Sequence, residues 1–142
     1  MVDRTEGQDT SRVKGHTLAH ATAQNSPLVA GRREFFKYRD LGVAAASAGQ
    51  MKAQVMTAIK GMTEPTGWHY HTCDAQFVYV MKGWVDLEFE VGESIRLKAG
   101  ESLFIPGGMK HNELAASADL DILELSVPAD MGTVPCERPA KG

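Results

Sequence analysis

"GWHYHTCDAQFVYVMKG", residues 67–83, sets two histidines one residue apart, ahead of a turn and an alternating apolar run. Side chains on a strand alternate between faces, so His69 and His71 point the same way. "TCDA" supplies the turn. The strand that follows carries Gln76, Val78 and Val80 on one face and Phe77, Tyr79 and Met81 on the other. Trp68 and Tyr70 have opposite parity to the two histidines. The spacing predicts a wall of two imidazoles, one amide and two valines, with aromatic residues behind it.

The same alternation continues outward from this stretch. "WVDLEFEV", residues 84–91, separates Trp84, Asp86, Glu88 and Glu90 from Val85, Leu87, Phe89 and Val91. "DILELSV", residues 121–127, separates Ile122, Glu124 and Ser126 from Leu123, Leu125 and Val127. Further short apolar runs, "AQVMTAI", "ESIRLKAG" and "SLFIPGG", are divided by glycine, proline or acidic turns, with almost no helical period. Many short strands with regular turn signals indicate an all-β sandwich or barrel. "GESLFIPGGMKH", residues 100–111, is a strand interrupted at Pro106-Gly107-Gly108 just before His111, where glycines let the chain be sharply re-aimed. A third imidazole can thus join the first two from a separate strand.

Bulk properties narrow the classes. With 142 residues and 43% hydrophobic content, the chain suits one domain with a real core. A formal charge of −3 leaves no electrostatic footprint for nucleic acid. The densest basic spot, "GRRE" at 31–34, reads as the solvated start of a strand. "LGVAAASAG", residues 41–49, is the nearest imitation of a membrane segment and is far too short, so no membrane partner is expected. Two cysteines are too few for a disulfide framework, and no secretory leader pattern is visible, so a reduced, cytoplasmic protein is expected. Residues 1–31 are polar and aperiodic and read as an arm, 32–127 as the β domain, and 128–142, "PADMGTVPCERPAKG", as an irregular tail. His16 and His20 have helical i, i+4 spacing but no third ligand nearby, and are expected to lie outside any site.

The two histidine-bearing segments resemble the paired motifs of the cupin superfamily. His69, His71, Gln76 and Gly83 fall at the first motif's positions, and Gly100, Pro106, Gly108 and His111 at the second's. The chain resembles a small single-domain cupin of the conserved-barrel (cupin 2) type over about residues 32–127. That resemblance implies a double-stranded β-helix, or jelly-roll, barrel in which His69, His71, His111 and the residue at 76 bind a divalent metal. Three departures stand out. Gln76 occupies the usual glutamate position, the glycine ahead of the first histidine is displaced, and Asn112 directly follows His111.

Glutamine brings a neutral carbonyl oxygen in place of a charged base, either on the metal or hydrogen-bonded to a bound water or ligand. The ion would keep its full +2 charge, which draws anionic substrate oxygens and acidifies bound water. Three imidazoles suit Fe(II), and also Zn, Ni, Mn or Cu. Iron is the expectation by likeness to cupin dioxygenases. Glu113, two residues beyond His111, is the candidate catalytic base. Val78 and Val80 are expected to line the pocket, which fits a small organic substrate. The expected function is a metal-dependent oxygenase acting on an enol, phenol or diketone-like molecule. A non-catalytic small-molecule sensor and a metal-assisted isomerase or lyase remain the alternatives. The outward aromatics suit either a homodimer interface or internal packing.

Overall fold

The alternating segments fold as eleven strands: β1 (Val29–Ala30), β2 (Phe36–Asp40), β3 (Lys52–Ala58), β4 (His69–His71), β5 (Ala75–Lys82), β6 (Trp84–Phe89), β7 (Ser94–Lys98), β8 (Ser102–Pro106), β9 (His111–Ala116), β10 (Asp121–Val127) and β11 (Thr133–Pro135). Among the described residues a single four-residue helix, α1 (Val43–Ala46), lies between β2 and β3. This computed structural model describes residues 12–31 and 33–140, so residues 1–11 of the expected arm and the last two of the tail lie outside the described residues.

Six strands pair in the order β1-β2-β3-β10-β5-β8 and five in the order β11-β4-β9-β6-β7. Every named strand pairing is antiparallel. The two sheets form the all-β barrel that the patterning indicated, in the jelly-roll arrangement that the resemblance implied. Their inward faces are those of the apolar parity. Val85, Leu87 and Phe89 of β6 pack against Val78 and Val80 of β5, Leu97 of β7, Ile105 of β8 and Ile122 of β10 in one core. On the outer face of β6, Asp86 pairs with Arg96 at 2.8 Å, and the Arg96 guanidinium lies 3.8 Å from the Trp84 ring centroid.

Parity also settles β10. Its inward residues are Ile122, Glu124 and Ser126, all buried, while Leu123 and Leu125 are half-buried on the outside. A buried carboxylate on the central strand is the unusual feature of this core.

Two segments expected to lie outside the barrel join its sheets. Val29–Ala30 pairs with Tyr38 and Lys37 of β2, and Thr133–Pro135 pairs with the whole of β4. Both were hidden by composition, because a strand of two or three residues is too short to show a period. "LGVAAASAG" contains α1, entered at left-handed Gly42, whose N–H donates to the Asp40 carboxylate at 2.8 Å. Among the described residues, no helix is long and apolar enough to cross a membrane.

One glycine is required by close approach. A side chain at Gly107 would run into the backbone carbonyl of Cys73, so only glycine lets the β8–β9 turn lie against the β4–β5 turn. That contact brings the end carrying His111 to the end carrying His71.

Candidate metal centre

β4 and β9 meet at one register pair, His69 opposite His111, and His71 shares the inward face of β4. The three imidazoles are 3%, 4% and 1% exposed for His69, His71 and His111. Ring centroids stand 5.2 Å (His69–His71), 4.5 Å (His69–His111) and 5.1 Å (His71–His111) apart. Their ligand nitrogens all lie within 4.8 Å of one another, and among the described residues this is the one cluster of its kind. His16 and His20 are not part of it.

Backbone carbonyls set the tautomers. His69 Nδ1 lies 2.7 Å from Gly67 O, His71 Nδ1 3.0 Å from Gly132 O, and His111 Nδ1 3.0 Å from Met109 O. A carbonyl oxygen only accepts, so each Nδ1 carries the hydrogen and each Nε2 keeps its lone pair free. This is the outer hydrogen bonding that orients metal-binding histidines.

Burial lowers the His69 pKa and brings that of His71 down to about 4, so both rings are neutral near pH 7. His69 Nε2 is buried without a hydrogen-bond partner, yet Glu113 Oε2 stands 3.3 Å from it. Unprotonated imidazole nitrogens converging in a buried space, with an anionic carboxylate beside them, make a favourable place for a cation. The donor set therefore fits a divalent ion.

Glu113 is only partly exposed, and the Thr66 hydroxyl donates to its Oε2 at 2.7 Å. Burial pushes its carboxyl up, but His69, His111, the Thr66 hydroxyl and Arg33 outweigh that and hold it below the usual carboxylate range. It is ionised at neutral pH.

Gln76 is buried on β5. Its Nε2 donates to Glu124 Oε2 at 2.6 Å, and its Oε1 is a buried acceptor without a partner. Glu124 Oε1 in turn accepts from Gln54 Nε2 at 2.7 Å. Gln76, Glu113, Val78, His71 and His111 line one cavity of about 60 Å³, enough for a few water-sized groups.

Three expectations need correcting. Val80 is fully buried in the core but is not in the cavity wall. It lies four residues along β5 from Gln76, roughly 13 Å at the rise of a strand, and Leu87, Leu97 and Ile105 form the apolar wall instead. Arg33, read as part of a solvated strand start, lines the cavity. The C-terminal segment holds His71 through Gly132 O and through Thr133 Oγ1, 3.1 Å from Nδ1.

Sequence reading also missed Thr66, Gln54 and Glu124. The one available signal was Glu124 sharing the parity of Ile122, an acid on a face with a strongly apolar residue. The displaced asparagine has a role of its own: Asn112 Oδ1 accepts from Gly67 N at 3.0 Å, and its Nδ2 donates to Glu88 Oε1 at 3.0 Å. It ties the approach to β4 onto β9 and β6. Cys73 and Cys136 are free thiols, and burial pushes that of Cys73 up, which keeps it protonated and unreactive.

A jelly-roll barrel with three inward histidines on two neighbouring strands of one sheet defines a class, and the family comparison agrees. The cupin domain family (Cupin_2) matches residues 55–126, and the chain belongs to that family. A polyketide synthase, CurC, from Streptomyces cyaneus is 29% identical over 100 residues, 67% of this chain and 62% of that protein. The chain thus spans under two thirds of the length of the curated relative it matches. Among solved structures, the polyketide cyclase RemF from Streptomyces resistomycificus superposes with a TM-score of 0.66 at 17% identity, covering 87% of this chain and 90% of that one. KdgF from Halomonas sp. gives 0.65 at 20% identity, covering 79% and 94%. At these identities the structural likeness establishes the fold.

Proposed function

We propose that the chain is a metal-dependent enzyme acting on a small, enolisable organic substrate, of β-diketone, enol or phenol type, inside the barrel. The observation that carries this reading is the ionised Glu113 carboxylate 3.3 Å from the Nε2 of His69. His69, His71 and His111 hold the ion, and Gln76 Oε1 offers a fourth, neutral oxygen. A divalent ion there, iron in the first place, supplies Lewis-acid polarisation of a substrate oxygen and, as iron, access to O₂ chemistry.

The chain's own residues do the rest. Glu113, oriented by Thr66, takes the proton from the carbon or hydroxyl next to the polarised oxygen. Leu87, Leu97, Ile105 and Val78 exclude water from the resulting anion. Arg33 adds positive charge to the cavity, where the nascent enolate is stabilised.

Oxygenation of the enolate is the leading reaction. Metal-assisted isomerisation, cyclisation or lysis, which begins with the same proton abstraction, is the second reading, and the likeness to polyketide enzymes supports it. Acetylacetone tests both. With Zn(II), its α-protons should exchange in D₂O, as followed by NMR, and Glu113→Gln should abolish the acceleration. With Fe(II), substrate-dependent O₂ uptake would assign the oxygenase. Saturable binding with neither exchange nor uptake, across a panel of enolisable carbonyl compounds, would replace the enzyme with a binding module.

We also infer a homodimer through the outer face beside edge strand β8. Tyr79, Met81 and Phe104 are 40%, 44% and 66% exposed on that face. Light scattering of the wild type and of Phe104→Lys checks it: the wild type should run as a dimer and the variant as a monomer.

A further inference from the structure

We infer that Glu124 is a positioning residue that locks the Gln76 amide, so that this wall presents a carbonyl oxygen to the cavity and never an amino group. The inference rests on the metal reading of the site above and adds a residue that neither motif contains.

Glutamine is ambiguous by construction. Its two ends differ by one atom type, and rotation by half a turn exchanges an acceptor for a double donor. On an unconstrained side chain, a metal or a substrate would meet either end. In this barrel the ambiguity is removed from behind. Glu124 is 8% exposed on the central strand β10, and as a carboxylate it can only accept. Its Oε2 stands 2.6 Å from Gln76 Nε2, so that nitrogen must be the amide end facing it. The opposite end, Oε1, is then committed to the other side, where it is buried without a protein partner. Gln76 and Glu124 line the same cavity as His71 and His111.

The second oxygen of Glu124 is taken up as well. Gln54, directly opposite Glu124 in the β3–β10 ladder, donates to Oε1 at 2.7 Å. Gln54 satisfies the outer oxygen, while the bond at Oε2 alone decides which end of the Gln76 amide faces the cavity. The acidic group associated with the first motif is thus displaced by one layer. It stands behind the neutral residue, where it polarises the amide and makes Oε1 a better donor to a cation without adding a charge to the centre. A buried carboxylate with only amide partners is costly to keep, which is consistent with a role beyond stability.

Co(II), titrated into the metal-free full chain and followed by its visible absorption and its dissociation constant, tests this. Circular dichroism checks that each variant is folded. Glu124→Leu removes the acceptor and lets the Gln76 amide turn; Co(II) binding should weaken about tenfold or more, with altered absorption bands. Gln54→Leu leaves the Gln76–Glu124 bond in place, and its spectrum should match the wild type. The exchange Gln54→Glu with Glu124→Gln should restore wild-type values: a carboxylate at 54 accepts from the new amide at 124, whose carbonyl then accepts from Gln76. If leucine at 124 prevents folding, Glu124→Ala, which admits water to the freed amide, is read in the same way.

Wild-type affinity and spectrum in the folded Glu124 variant would overturn the inference and leave the metal reading standing. So would an equal loss in Gln54→Leu, which would make the cluster merely structural. If the wild type itself binds no Co(II) that His111→Ala fails to bind, the metal reading falls and this inference with it.

Discussion

The barrel is held together very differently at its two seams. Along β10 the chain is paired on both sides, six register pairs with β3 and seven with β5, with one irregularity between Asp121 and Ile122 on the β5 side. Between β4 and β9, which carry the three histidines, there is a single register pair. What joins the second seam is local: Thr66 N to Glu113 O at 2.9 Å, Gly67 N to the Asn112 side chain at 3.0 Å, and Gly108 N to His71 O at 2.9 Å. The first seam is stabilised by ladder and apolar burial. The second depends on side chains and turns, and it is where the three buried imidazoles converge. Backbone pairing is thus dense along one seam and sparse along the other.

The largest expected effect is confined to the second seam. His111→Ala should weaken divalent metal binding by roughly 1000-fold, about 4 kcal/mol, while far-UV circular dichroism stays that of a β protein. Calorimetric titration with Zn(II) measures it. A variant that unfolds would mean the two seams are one cooperative unit after all.

Acid should separate the seams next. His71 has a folded-state pKa of about 4 against 6.5 in the unfolded chain, because burial disfavours its charged form. Its contribution is fully present above pH 6.5 and is lost as pH falls towards 4. The loss is on the order of 3 kcal/mol for the metal-free protein. The depressed Glu113 carboxyl adds a loss of the same sign at still lower pH. Urea titrations at pH 7.5 and 4.5 should differ accordingly, and His71→Leu should flatten the difference.

At the first seam, Val80→Ala removes a side chain with no exposure and should cost about 2 kcal/mol. Its Zn(II) affinity should match the wild type, because Val80 lies outside the cavity wall. A shift in affinity would show that packing at β10 reaches the histidines.

The smallest effect lies where the seams meet. Gln76→Glu would set a carboxylate against Glu124 in place of an amide bonded to it at 2.6 Å. Like charges that close share a proton, so the gain in metal affinity from an anionic ligand should largely cancel. Only with Glu124→Gln added should Zn(II) bind tighter than in the wild type, by roughly tenfold.

How much of this could be read from the sequence follows the same division. The parity of β6 was legible because acidic and apolar residues alternate along it, that of β5 followed from the place of Gln76 ahead of an apolar run, and the His69–His71 spacing put both rings on one face. His111 was legible through the broken strand before it. Glu124 was not, because Ile122-Leu123-Glu124-Leu125 has an apolar residue on each face, and only the partner strands decide which turns inward. Arg33 and Thr66 sit in connections, where no period operates. The asparagine that looked out of place is simply bonded differently, to Gly67 and Glu88.

β11 gives the centre an order of assembly. His69 and His111 can be positioned once β4 through β9 have formed, and Gln76 once β10 brings Glu124 against it, but the hydrogen bonds that fix His71 come from Gly132 and Thr133, at the start of the last strand, β11. During synthesis the other strands can pair while the His71 ring still lacks these two partners. On the metal reading proposed above, tight capture of an ion would wait until the polypeptide beyond β10 has docked, so a chain clipped there should bind an added divalent ion loosely even with all three histidines present.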